Sequence, residues 1–344
     1  MQLVKRPHAA SLVRWARERP EVIVLSADLT SSCEANDFRE AFPERFFSMG
    51  MAEQNMMGFA GGLAREGFRP FVHTFAVFIC RRPFDQVAMS IGYPNLPVRL
   101  IGFLPGITTP GGVTHQAIDD VALMRAIPNM RILECGDATE VESVLEVADA
   151  IEGPVYVRML RGEVPRLFPR SQPMELGRAR VLTEGDEVLV VSSGICTEEA
   201  MRAVTVLRRR GLSLAHLHIS TLKPFDDPTL AGTLRRGFRG VLTLENHGIV
   251  GGLGSAVAET MAELGMGVPL VRLGLRDTYA HGASRSYLMR KYEIDARGLV
   301  SAVERLVGSH FDVGADELAA VPLEGEPSAS GDADNGAFAK AEDL

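Results

Sequence analysis

Eight short runs of apolar, largely β-branched residues punctuate the chain: EVIVLSA (21–27), PVRLIGF (97–103), MRILE (130–134), PVYVRML (154–160), EVLVVSS (187–193), LAHLHI (214–219), GVLTLE (240–245) and VPLVRLG (268–274). Most are hydrophobic at nearly every position, the pattern of strands covered on both faces. Intervening segments such as TEEAMRAVTVLRRRG and GSAVAETMAELG place apolar residues at helical spacing. Strands alternating with helices predict an α/β fold, each domain a mostly parallel sheet flanked by helices. The Pro- and Arg-rich stretch GEVPRLFPRSQPMELGRAR (162–180) breaks the rhythm. It divides the chain into domains at 1–165 and 181–311, with a linker at 166–180.

One helix raises a chemical question. In SMGMAEQNMMGFAGGLAREG (48–67), Met56, Phe59, Ala60, Leu63 and Ala64 fall on one helical face that Gly67 closes, and Glu53 lies three residues before Met56 on that same face. A carboxylate in the first turn answers the helix dipole, worth about 0.3–1 kcal/mol. A carboxylate withdrawn from water has its proton affinity tuned for chemistry. Spacing alone leaves both readings open.

With 344 residues, 46% hydrophobic content and slightly positive mean hydropathy, the chain can bury a large core. No apolar run approaches the ~20 residues that span a bilayer, and MQLVKRPHAA lacks the hydrophobic stretch of a secretory signal, so a cytoplasmic location without membrane attachment is expected. Cys33, Cys80, Cys135 and Cys196 are widely spaced without a CxxC pair, which speaks for reduced packing residues and against a zinc site. The net charge of −8 resides in residues 312–344, a stretch poor in large apolar side chains that reads as a disordered acidic tail. Nothing resembles a basic nucleic-acid footprint.

Ligands of parallel sheets collect beyond the carboxyl ends of the strands, which singles out SADLTSSC (26–33), FLPGITTPGGVTHQ (103–116) and ENHGIVGGLG (245–254). The last has a structural alternative, a glycine-rich strand-to-helix turn without ligand, and GGLG is too short to be specific. Taken in order, ADL (27–29), GMAEQNMMGFAGGLA (50–64), PFVHTFAVF (70–78), FDQV (84–87), THQAIDDVALMRAIPNM (114–130) and GIVGGLGSAVAE (248–259) resemble the transketolase family over roughly residues 6 to 310. The match is to its pyrimidine-binding and C-terminal domains, and is similar above all to the C-terminal subunit of split, two-chain transketolases.

The resemblance implies thiamine diphosphate as cofactor and a role for individual residues. Glu53 of AEQN would hydrogen-bond the aminopyrimidine ring and favour the tautomer that removes the thiazolium proton, acid–base work that suits a carboxyl group in a dry site. Phe78 would stack on that ring. Phe75 is a second cofactor contact or plain core packing, Asp28 and Leu29 border the thiazolium, and His115 would meet the substrate near the reacting carbon. Arg6, Ser32 and Arg161 match positions of the sugar-phosphate clamp.

The clamp is incomplete. Where split transketolases read like THAGITVGEDGASHQ, this chain reads GFLPGITTPGGVTHQ, with one residue fewer between GIT and HQ, with Phe103 or Leu104 in place of the phosphate-binding histidine and without the aspartate that reads a donor hydroxyl. The expected substrate therefore differs from the usual pentose phosphates, either lacking the terminal phosphate or carrying another anionic group elsewhere. The GDG…N segment that holds Mg²⁺ and the diphosphate in thiamine enzymes is not found in the sequence. The resemblance thus implies half an active site: transfer of a two-carbon ketol unit from a ketose to an aldehyde, with an N-terminal subunit supplying the Mg²⁺ site in an α2β2 heterotetramer. Rival readings are the β subunit of a 2-oxoacid dehydrogenase's decarboxylating component, a deoxyxylulose phosphate synthase-like enzyme, and a non-catalytic partner subunit.

Overall fold

The computed structural model describes residues 2–323. A short N-terminal strand, β1 (Gln2–Lys5), precedes the first sheet, whose strands are β2 (Val22–Ser26), β3 (Phe46–Ser48), β4 (Arg69–Phe75), β5 (Arg99–Phe103), β6 (Arg131–Glu134) and β7 (Val155–Met159). β8 (Glu163–Arg166) returns to pair antiparallel with β1. The second sheet is built from β9 (Arg180–Thr183), β10 (Val188–Ser192), β11 (Leu214–His218), β13 (Gly240–Gly248) and β14 (Leu270–Leu275), while β12 (Thr221–Lys223) leaves it. All eight apolar runs form strands. β4 lies within PFVHTFAVF and outside the eight apolar runs.

The first sheet has the order β12-β6-β7-β5-β4-β2-β3, parallel except for β12, and the second the order β14-β13-β10-β11-β9, parallel except for β9. β12 follows β11 in the chain but adds to the outer edge of the first sheet, beside β6. Alternation along β10 and β11 divides two cores. Val188, Val190 and Leu214 face the second domain's helices, whereas Leu189, Val191, Ala215 and Leu217 join the core of the first domain. The domains therefore meet through continuous apolar packing.

Buried polar groups cross the same boundary. Arg158 of β7 donates to Asp120 at 2.9 Å, to Glu134, and to the carbonyl of Asn246 in β13 at 2.9 Å. His218 of β11 meets Glu140 at 3.0 Å, and Ser220 donates to the same carboxylate at 2.6 Å. The linker has no regular structure between β8 and β9 but is pinned, because Asp137 accepts from the backbone N–H groups of Leu167 and Phe168, both at 2.9 Å.

One expectation is corrected. Residues 312–323 are not a disordered tail: Ala315–Ala319 is helical, and Leu318, Val321 and Leu323 are buried in the second core. Averaged over an acidic stretch, these three apolar residues vanish; placed on one face, they suffice to dock it. The rest of the acidic stretch, 324–344, lies outside the described residues. The four cysteines are free and buried, and no described helix is long and apolar enough to cross a membrane.

Candidate active site

The carboxyl ends of β2, β4, β5 and β7 converge on a cavity of about 930 Å³ whose lining includes Leu29, Ser32, Phe75, Leu104, His115 and Arg161. Phe75 ends its strand and the others arrive from the loops that follow theirs, where a parallel sheet leaves backbone and side chains free for a ligand. Asp28 is exposed beside Leu29. Phe75 and Phe78 stack with ring centroids 6.0 Å apart, and His115 presents its ring edge-on to Phe78 at 5.4 Å and to Phe75 at 6.3 Å. Thr114 lies 2.9 Å from Nδ1 of His115.

Glu53 opens the helix Glu53–Arg65 and is 3% exposed, on a buried face with Met56, Met57, Ala60, Gly61 and Ala64. The face is rotated from the one predicted: Phe59 is 40% exposed and packs edge-on against Phe47 at 5.7 Å. Gly61 explains the rotation. A Cβ there would stand 2.7 Å from the carbonyl oxygen of Ser90, so the helix turns its smallest residue toward the π-turn Val87–Gly92. The Glu53 carboxylate meets Arg82, whose guanidinium lies 2.9 and 3.0 Å from its two oxygens and 4.1 Å from the ring centroid of Phe78.

Of the three residues expected in the clamp, Ser32 and Arg161 come together and Arg6 does not join them. Arg161 donates to the carbonyl of Ser32 at 2.8 Å, and Gly162 donates its N–H to Glu34 at 2.6 Å. Burial raises the carboxyl pKa of Glu34, against the pull of that hydrogen bond and of Arg6 and Arg161. Arg6 bonds through its backbone to Gly162 at 2.7 Å, but its guanidinium turns to Asp37 at 3.1 Å and does not line the cavity. Arg285, from the second domain, does line it, and neither Arg161 nor Arg285 has a carboxylate within ion-pair distance among the described residues. Glu163 and Glu198 share the wall, Glu198 being held by Arg202 at 2.8 Å.

The loop 104–116 is pegged from the second domain. Asn246 accepts from the N–H of Ile107 at 2.9 Å and donates to the carbonyl of Pro105 at 3.0 Å. Gly106, at φ +61°, leaves room for that side chain. Of the two residues that stand where the clamp histidine is expected, Leu104 lines the cavity; Phe103 is buried between His8 and His73, 5.3 and 6.0 Å between centroids.

The glycine-rich turn of the second domain cradles its own carboxylate. Glu245 accepts from the N–H groups of Leu253 at 2.7 Å and Gly254 at 2.9 Å, and a Cβ on Gly252 would stand 2.0 Å from it. Burial lifts its carboxyl to about 8 although both backbone donors pull the other way. Among the described residues no group of three or more His, Cys, Asp or Glu could hold a metal ion.

Residues 8–166 match the transketolase pyrimidine-binding domain and 177–299 the transketolase C-terminal domain. A transketolase family protein of Sinorhizobium fredii is 39% identical over 300 residues, 87% of each chain. The 6-deoxy-6-sulfo-D-fructose transketolase subunit of a Clostridium species is 36% identical, over 86% of this chain and 91% of that one. A 1-deoxy-D-xylulose-5-phosphate synthase of Syntrophus aciditrophicus is 34% identical, but the match spans 46% of it. Among solved structures, a split-gene transketolase described as an inactive β4 tetramer superposes with a TM-score of 0.80 at 41% identity, covering 88% of this chain and 97% of that one. The chain belongs to the transketolase family. It has the layout of the C-terminal subunit of a split transketolase, a family of transferase enzymes that depend on thiamine diphosphate.

Sequence reasoning missed Arg82, Asn246 and Arg285. The first was within reach: the Arg doublet of FICRRPF puts Arg82 four residues after Phe78. The other two come from the second domain, and nothing local in the chain ties them to the first domain's loops.

Proposed function

We propose that this chain is the pyrimidine-side half of a two-chain transketolase that moves a two-carbon ketol unit from a ketose bearing a terminal anion to an aldehyde. The observation that carries this reading is a buried carboxylate, Glu53, linked through Arg82 to the face of Phe78, beside a cavity that holds His115, Leu29 and Arg161. These residues fit thiamine diphosphate: Glu53 for an N–H of the aminopyrimidine, Phe78 for its flat face, Phe75 and Leu29 for the apolar surround, with Asp28 at the border. When bound, the cofactor supplies a nucleophilic carbon that carries the two-carbon unit between sugars.

This chain's residues do the rest. Glu53 shares a proton with the ring nitrogen, and His115, edge-on to both phenylalanines, donates to or accepts from oxygen at the reacting carbon. Arg161 and Arg285 hold the anion, with Ser32 placed by Arg161 and Arg6 held in reserve on Asp37. The anionic end is favoured because two guanidiniums without carboxylate partners line one cavity, and because two relatives are named for sugars with a sulfonate or phosphate at the far end. Leu104 supplies no hydrogen bond there.

Mg²⁺ and the diphosphate are assigned to an N-terminal partner carrying GDG…N, in an α2β2 assembly in the cytoplasm. Apolar side chains left exposed around the Glu53 helix, Met51, Phe47, Phe59, Met89 and Tyr93, suit that contact. The test is co-purification of the partner and an assay of ketol transfer with a panel of ketoses. Activity is expected from the mixture and not from either chain. Thiamine-dependent turnover by this chain alone, rigorously purified, defeats the reading.

A further inference from the structure

We infer that Arg82 occupies the place of the aminopyrimidine and must leave it for the cofactor to bind, so that the guanidinium is an internal placeholder for the half-site. The inference rests on the reading of Glu53 and Phe78 given above and goes beyond it.

A guanidinium is flat, delocalised and rich in N–H donors, and it stacks on aromatic faces. An aminopyrimidine presents the same features to a protein: a flat π surface and N–H groups in its plane. Arg82 already engages both groups that would receive such a ring. Its Nη1 lies 2.9 Å from one oxygen of Glu53 and 3.0 Å from the other, and its central carbon lies 4.1 Å from the centroid of Phe78. The backbone is tied in as well, since Gln54, next to Glu53, donates to the carbonyl of Arg82 at 3.2 Å. The Glu53 side chain is 2% exposed and that of Arg82 47%, so the guanidinium is the solvent-side cover of the carboxylate.

One face of Phe78 at stacking distance takes one flat group. A guanidinium that faces both oxygens of Glu53 and lies over Phe78 stands in the volume that a ring bonded to Glu53 and stacked on Phe78 would fill. Arg82 therefore has two positions: over Phe78 in the empty half-site, and swung into solvent in the loaded one. The arrangement answers a physical need of a chain that carries half a site, because a buried carboxylate without a partner is costly. Arg82 satisfies Glu53 until the cofactor does.

The variant Arg82→Met separates the placeholder from a residue that helps to hold the cofactor, because the two roles give opposite signs. Binding of thiamine diphosphate with Mg²⁺ to the complex of this chain and its partner is measured by calorimetry, and thermal unfolding of the chain is followed in parallel. The placeholder predicts that Arg82→Met binds the cofactor roughly five- to tenfold more tightly than wild type while the chain alone melts lower. Arg82→Gln, which keeps N–H donors but loses the charge, is expected to shift both quantities in the same directions and serves if the Met variant does not fold. Equal or weaker binding by the variants, with the wild-type complex binding normally, overturns the placeholder and leaves the functional reading intact. A wild-type complex that binds no thiamine diphosphate overturns both.

Discussion

Replacing Asn246 by alanine removes the peg that joins the cavity loop to the second domain. Its amide makes two buried hydrogen bonds to backbone, one from the N–H of Ile107 at 2.9 Å and one to the carbonyl of Pro105 at 3.0 Å. Alanine leaves the Ile107 N–H buried and unpaired, while the Pro105 carbonyl keeps one donor, the Thr108 hydroxyl at 2.8 Å. The orphaned N–H costs about 1–3 kcal/mol and the lost second bond to Pro105 about 0.5–1.5 kcal/mol, and a water entering the vacated space recovers part of the sum, so the expected loss is about 2 kcal/mol. Gly106 supplies the control. A Cβ there would sit 2.2 Å from the Asn246 oxygen, so Gly106→Ala is expected to be severely destabilising in the wild type and milder in the Asn246→Ala background, where only the strain of its φ of +61° remains. Urea unfolding followed by the fluorescence of Trp15, the single tryptophan, and by far-UV circular dichroism reports all four proteins. The two probes must coincide for a single free energy to be meaningful, as the shared core predicts. A loss below about 0.5 kcal/mol for Asn246→Ala, or a Gly106→Ala cost indifferent to residue 246, would refute the peg.

Other consequences can be tested on the same material. Glu53→Gln in the reconstituted complex should lower the rate of ketol transfer on the order of 10²-fold or more, with cooperative unfolding retained; near-wild-type turnover rules out the acid–base role. Burial pushes His216 from its ordinary 6.5 down to about 3, so the unfolded chain binds the extra proton first and stability is lost as pH falls through that window. His216→Gln should escape that loss, narrowing the gap between the two proteins by about 1.4 kcal/mol per pH unit on acidification, whereas parallel pH profiles would show that the imidazole is not buried in its neutral form. Removing either guanidinium, by Arg161→Met or Arg285→Met, should raise KM for a phosphorylated or sulfonated ketose about tenfold or more and change little for an uncharged analogue. An equal effect on both substrates would place the anion elsewhere.

The architecture was largely legible because both sheets are buried. Strands such as VIVLS and VLVVS are apolar at four of five positions and buried at all five, and a run of that kind between helical segments has few other uses. β4 is harder to see because RPFVHTF mixes a proline, a histidine and a threonine into a buried strand, where His73 is satisfied by His8, 3.0 Å away, and by the carbonyl of Phe71 at 3.2 Å. The short antiparallel additions β1, β8, β9 and β12 carry no local signal; they form where a neighbouring edge is free. For the candidate site, motifs named Leu29, Ser32, Phe75, His115 and Arg161, which the structure brings to one cavity. They were silent about the groups that position those residues. Arg82, which covers Glu53, and Asn246 depend on which loops meet in space, and the two arginines expected in the clamp are told apart only by the structure, which turns Arg6 to Asp37 and Arg161 to Ser32.

The antiparallel strand β12 bears on where this polypeptide can be cut. It leaves the second domain, caps β6, and anchors there through Lys223, whose ammonium donates to the carbonyls of Arg125 at 2.9 Å and Ile127 at 2.5 Å. A gene truncated after the first domain would therefore express a sheet whose outermost strand has lost its cover, with a row of N–H and C=O groups open to any other chain that can lie alongside. Such a fragment is expected to aggregate, and supplying the second domain as a separate molecule would have to restore a three-residue strand by chance encounter. The boundary between these two domains is thus a poor site for dividing the polypeptide into modules, for exchanging domains between relatives, or for inserting a tag.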